Sequence, residues 1–142
     1  MVKPEEVIDI KKSSRINYSI DNKITGIEGI IHVYPHKWDD FAESTLLWER
    51  FRRRLKREDS IAEINLFLPH GDSDKLQEYL EKIGHKGLGG YVLDQVILDL
   101  KKEDFKGIYV YNPEKEFYNL LLKRDFTMVN SKGIRELFKI LE

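Results

Sequence analysis

Gly87, Gly89 and Gly90 stand directly before a run whose apolar residues recur at helical spacing. Val92, Leu93, Val96, Ile97 and Leu100 fall on one face, and Asp94, Gln95, Asp99, Lys101 and Lys102 take the other. The glycine cluster therefore opens an amphipathic helix. Such a terminus carries unpaired backbone N–H groups and the positive end of the helix dipole. Glycines, having no Cβ, let an anion approach those N–H groups closely. A diphosphate suits this geometry. A glycine-rich connector between two helices is the plainer reading of the same residues.

Other phosphate loops and other chemistries are excluded. No Gly-Lys is followed by Ser or Thr, so the hydroxyl that a P-loop offers to magnesium is missing. A dinucleotide fingerprint counted from Gly87 would put its third glycine at Val92. There is no cysteine, which removes disulfides, thiolate-bound zinc and thiol nucleophiles. No Gly-x-Ser-x-Gly elbow occurs. His32, His36, His70 and His85 have no metal-ligand spacing, and no metal is expected.

The elements that must carry the glycine loop follow from periodicity. At 142 residues, 41% hydrophobic and 35% charged, the chain reads as one globular domain with a real core. Its net charge near −1 disfavours bulk nucleic-acid or membrane binding. No apolar run is long enough for a membrane span, and the N-terminal residues do not form a signal peptide, so a cytoplasmic location is expected.

Residues 7–34 read as an antiparallel meander. Val7, Ile8 and Ile10 begin it; Ile16, Tyr18 and Ile20 alternate with polar residues; Asp21-Asn22-Lys23 is a turn. A third stretch from Ile24 to Tyr34 carries Gly26 and Gly29, which suggest a bulge, and Pro35 ends it. Residues 38–57 read as one long helix, with Phe41, Trp48, Phe51 and Leu55 near one face and Trp38 and Leu47 flanking. Its front is acidic. Its back carries Arg50, Arg52, Arg53, Arg54, Lys56 and Arg57, which suits the helix dipole and also offers a phosphate-binding face.

Ile61 to Leu68 is the clearest strand, apolar on both faces at its end as a central strand would be. Pro69, His70 and Gly71 terminate it, and Leu76, Tyr79, Leu80 and Ile83 outline a short helix before the glycine loop. Beyond the glycine-led helix come a strand at 107–111, a helix from Pro113 to about Lys123 and a short strand at Phe126–Val129. The tail over 134–141 fits a helix or a last strand equally well. The fold class is thus α/β (α+β), a mixed, mostly antiparallel central sheet with helices on both faces.

This order, with its motifs, resembles the GNAT family of acyl-CoA-dependent N-acetyltransferases over about residues 61–142. Gly84-His85-Lys86-Gly87-Leu88-Gly89 is similar to the family's pyrophosphate loop, Arg/Gln-x-x-Gly-x-Gly/Ala, with Gly84 at its first position. Asn112, between a strand and a helix, looks like the asparagine that many members place against the cofactor. Leu120 to Phe126 is similar to their late motif x-Tyr-x-Lys-x-Gly-Phe, with Leu121 in the tyrosine's place and Asp125 in the glycine's.

The resemblance implies an acyltransferase-like domain whose half at 61–142 binds acetyl-CoA as co-substrate. The N-terminal meander and long helix at 1–60 would then build the pocket for a small-molecule or peptide amine. It implies backbone N–H groups of Phe67 and Leu68 for the thioester oxygen. Lys86, Gly87, Leu88, Gly89 and Gly90 would meet the pyrophosphate. Glu63 or His70 would act as base, and Tyr118, one turn before Leu121, as the acid for the departing thiolate. Two other readings stay open: a non-catalytic CoA- or partner-binding module on the same fold, and an α+β domain using its basic helix to hold RNA or protein. A homodimer is compatible with each.

Overall fold

The structure is a computed structural model that describes residues 4–12, 17–22, 28–67, 88–130 and 133–142. The described residues group into two compact units, Met1–His32 with Leu66–Val96 and Val33–Asn65 with Ile97–Glu142.

In the first unit the expected meander forms. Helix α1 (Pro4–Val7) precedes β1 (Ile8–Lys12), so Val7 ends a helical turn rather than starting the strand. β1 pairs antiparallel with β2 (Tyr18–Asn22), and β2 pairs antiparallel with β3 (Glu28–Lys37). Asp21 and Asn22 lie inside β2 rather than in a turn. The β2–β3 register runs unbroken from Tyr18–Ile31 to Asp21–Glu28 and places Gly29 opposite Ile20, so Gly29 marks no bulge. Alternation buries Ile8, Tyr18, Ile20 and Ile31.

In the second unit the strand order is β3-β4-β5-β7-β6. Its strands besides β3 are β4 (Ser60–Phe67), β5 (Gly107–Tyr111), β6 (Thr127–Asn130) and β7 (Glu136–Ile140). β4 and β5 are parallel, while β5–β7 and β6–β7 are antiparallel. The ambiguous tail is therefore a strand, and it enters between β5 and β6. Pro35 does not end β3, which continues to Lys37. Proline supplies no N–H to a ladder, so it is kept within a strand only at a position that needs none.

The single helix expected over 38–57 is broken. A 3-10 turn spans Trp38–Phe41, α2 spans only Thr45–Phe51, and Arg52 to Arg57 lie beyond it in turns. The break has a local cause. The backbone N–H of Lys37 donates to Asp40 Oδ2 (2.9 Å), and Ser44 N–H donates to the Phe41 carbonyl (2.9 Å), closing one tight turn before α2 begins. Trp38 and Leu47, expected to flank the apolar face, are fully buried. With Phe51 and Leu55 they cover Ile61, Tyr109 and Phe138 on β4, β5 and β7. Ala62, Ile64, Ile108, Val110 and Leu137 are buried on the opposite face of these strands, so the sheet here is covered on both sides.

Helix α3 (Leu88–Lys102) takes Gly89 and Gly90 into its first turn and buries Val92, Leu93, Val96 and Leu100. Helix α4 (Lys115–Lys123) buries Phe117 and Leu121; Pro113 lies two residues before its first turn. Asp125, just past α4, has φ 64°, the left-handed conformation that glycine adopts without cost. An aspartate here holds the conformation that a glycine commonly supplies at a helix end.

Gly107 begins β5 against the aromatic core. A Cβ there would lie 2.6 Å from Phe138 Cζ and 3.1 Å from Ile61 Cδ1. Phe138 is fully buried between Trp38 and Phe51 (ring centroids 5.6 and 4.7 Å), so its ring has little room to yield. Gly107→Ala is expected to destabilise the fold by about 1–3 kcal/mol through overpacking. Chemical denaturation of the two proteins side by side checks this; equal stability would show that Phe138 moves freely.

Candidate active site

The parallel ladder between β4 and β5 is short. Its pairs are Ile61–Gly107, Ala62–Ile108 and Glu63–Tyr109. No further pair follows among the described residues, although β4 runs on to Phe67 and β5 to Tyr111. Two strands that stop pairing while both continue release backbone N–H and C=O groups at the divergence.

Polar side chains collect at the last rung of that ladder. Glu63 Oε1 lies 2.9 Å from His36 Nε2 on neighbouring β3, both side chains about a quarter to a third exposed (24% and 32%). Tyr109, opposite Glu63 on β5, donates its hydroxyl to Glu136 Oε2 on β7 at 2.9 Å. Phe41 packs edge-on against both rings, with centroids 5.5 Å from His36 and 5.0 Å from Tyr109. Burial pushes the Tyr109 phenol well above its ordinary range; its bond to Glu136 and the carboxylates of Glu136 and Glu63 push it further. Tyr109 therefore keeps its proton through neutral pH. Its hydroxyl is a donor to Glu136, and Glu63 and His36 pair with each other beside it.

The remaining sequence-predicted residues fall as follows. Leu88, Gly89 and Gly90 open α3, and Gly90 is buried. Phe67 is the last residue of β4. Asn112 follows β5 with φ 47°, and its backbone N–H donates to the Arg135 carbonyl (2.6 Å). Asparagine is among the residues that accept this left-handed conformation. Tyr118 is brought to β6 and β7 rather than to the Glu63 row: its hydroxyl meets Met128 Sδ at 3.1 Å, and the Arg135 guanidinium lies 4.5 Å over its ring. Leu68, His70, Lys86, Gly87 and the helix expected at 73–83 lie outside the described residues.

Sequence reasoning missed His36, Tyr109 and Glu136. Their signal is faint. Each is a polar group within an otherwise apolar strand, and only the pairing of four strands brings them side by side. Among the described residues no three His, Cys, Asp or Glu side chains gather to hold a metal ion, and no helix is long and apolar enough to cross a membrane.

The arrangement has solved counterparts. An agmatine N-acetyltransferase mutant, crystallised in its apo form, superposes with a TM-score of 0.56 at 8% identity, covering 88% of this chain and 74% of that one. A putative phosphinothricin N-acetyltransferase superposes at 0.52 with 12% identity, covering 92% and 70%. No protein-family model matches the sequence, and no curated protein sequence does. The chain thus has a mixed α/β fold of the GNAT, acyl-CoA-transferase-like type, with a central sheet and flanking helices. The likeness is one of fold, at low identity, over most of the chain.

Proposed function

We propose that this protein is an N-acetyltransferase that moves an acetyl group directly from acetyl-CoA to an amine. The observation that carries the reading is the divergence of β4 from β5 immediately after Glu63. Beyond that rung β4 and β5 no longer pair with each other, next to a strand-borne carboxylate.

The residues present fit an acyl-CoA substrate. A 15-residue helix carries Gly89 and Gly90 in its first turn, where the missing Cβ atoms would let a pyrophosphate approach the backbone N–H groups and the helix dipole. Gly87 and Lys86 precede that turn in sequence. Backbone N–H groups at the end of β4, Phe67 and Leu68, would stabilise the charge that develops on the thioester oxygen, and Asn112 would contact the cofactor. Glu63 takes the proton from the amine, directly or through water, and His36 holds its carboxylate in place. His70 is the alternative base. Tyr118 is the candidate acid for the departing thiolate; its hydroxyl donates to Met128 Sδ, a weak acceptor, and would have to leave that bond to serve.

Calorimetric titration with acetyl-CoA, dephospho-CoA and the Gly89→Glu variant tests the reading. Micromolar acetyl-CoA binding is expected in the natural protein, and its loss is expected in Gly89→Glu, whose side chain sets a carboxylate where the pyrophosphate would sit. No binding by the natural protein would reduce the glycines to a connector. A second reading, binding without catalysis, is favoured by one observation: Leu121 holds the place of the family's tyrosine and is fully buried. Binding without turnover over a broad amine panel would select it.

A further inference from the structure

The basic stretch after α2 has no part in the chemistry above. Arg52, Arg53, Lys56 and Arg57 surround an open depression of about 470 Å3, walled by Trp38 and Trp48. That volume is in the range of small-ligand sites. A helix-dipole role does not account for these cations. Only Arg50 lies in the last turn of α2, and the four at the depression come after the helix has ended.

Nor do ion pairs consume them. Arg57 meets Asp39 at 3.0 Å and Arg52 approaches Glu49 at 3.9 Å, both on exposed surface where such pairs are weak. Arg54 is the member that turns away, to Glu142. Arg53 and Lys56 form no ion pair among the described residues. Arg53 and Lys56 thus bring to the depression positive charge that no ion pair among the described residues engages.

Its aromatic wall is equally specific. Trp38 and Trp48 stack nearly parallel, centroids 5.1 Å apart and planes 7° from parallel. Arg57 lies 5.8 Å over the Trp48 ring, so a guanidinium and an indole are held next to each other. The Trp38 indole N–H is buried without a hydrogen-bond partner among the described residues.

We infer that this depression binds a nucleoside di- or triphosphate: the Arg53–Lys56 side takes the phosphates, and the Arg57 guanidinium, backed by Trp48, takes the planar base. Arginine forks match phosphate oxygens, and aromatic and guanidinium surfaces stack on bases of any identity. A compact nucleotide fits better than a nucleic-acid strand. The cations ring one bounded depression, and the chain as a whole is close to neutral, with a net charge near −1. The site is independent of the acyl-CoA reading.

The chain's two tryptophans both line the depression, so its intrinsic fluorescence reports on this site. ADP, adenosine, inorganic pyrophosphate and an oligouridylate are titrated at fixed ionic strength. The expected result is a saturable change with ADP, weaker responses to adenosine and pyrophosphate alone, and a Kd raised about tenfold or more in Arg53→Gln/Lys56→Gln. These residues are exposed, and circular dichroism confirms that the variant is folded. Gly89→Glu, which should abolish acetyl-CoA binding, should leave the ADP response unchanged. The proposal is overturned if ADP gives no saturable change, if Arg53→Gln/Lys56→Gln responds as the natural protein does, or if Gly89→Glu removes the response. It is also overturned if the oligouridylate binds and ADP does not.

Discussion

Glu63→Gln is expected to slow acetyl transfer to the best available amine about 10²–10⁴-fold, the usual contribution of a positioned general base. The substitution removes proton-accepting ability and little else. Glutamine has the same shape and still offers His36 a hydrogen-bonding partner at the 2.9 Å position. Acetyl-CoA affinity, proposed to arise at the start of α3, should stay within about twofold. Thiol release at saturating acetyl-CoA is the measurement. His36→Gln should lower the rate less than Glu63→Gln does, because in the proposed reading His36 holds the carboxylate and does not act on the amine. An unchanged rate in Glu63→Gln would transfer the base to His70.

Trp38→Ala should destabilise the fold by about 3–5 kcal/mol, the range for deleting a large buried aromatic side chain. Trp38 is fully buried and packs against three other aromatic rings: Trp48 at 5.1 Å, Phe138 at 5.6 Å and Phe41 at 5.8 Å. Loss of the indole leaves a void bounded by rings that belong to the 3-10 turn, α2 and β7, which no one element can close by itself. Trp38→Phe retains most of the ring stack and should cost clearly less. Urea unfolding of both variants checks the order. A Trp38→Ala protein as stable as the natural one would mean that the aromatic cluster repacks freely.

Much of the fold is legible in the residues. Period-2 alternation marked β2 and β4, and the 3.6 period of Val92, Leu93, Val96 and Leu100 marked α3, because each pattern is a local record of which side meets the core. The errors share a cause. The stretch at 38–57 has helical periodicity throughout, yet the Lys37–Asp40 bond and the turn at Ser44 split it. Pro35 looks terminal, but β3 continues past it to Lys37. The tail carries two compatible patterns, and the open slot between β5 and β6 selects the strand.

The candidate site divides in the same way. Its glycines and Glu63 are visible along the chain, since a glycine cluster before an amphipathic helix and a carboxylate inside an apolar strand stand out from their immediate neighbours. The sequence by itself determines a mixed α/β chain, a glycine-led helix and a central strand carrying one carboxylate. Tertiary structure alone decides that β4 parts from β5 after Glu63, that His36 and Glu63 meet across 27 residues, and that Tyr109 meets Glu136 across another 27. It also decides that Trp38 and Trp48 wall a basic depression. The reason is physical: periodicity reports the burial of one element at a time, whereas register, divergence and side-chain pairing depend on which strands become neighbours, and no short window of residues contains that choice.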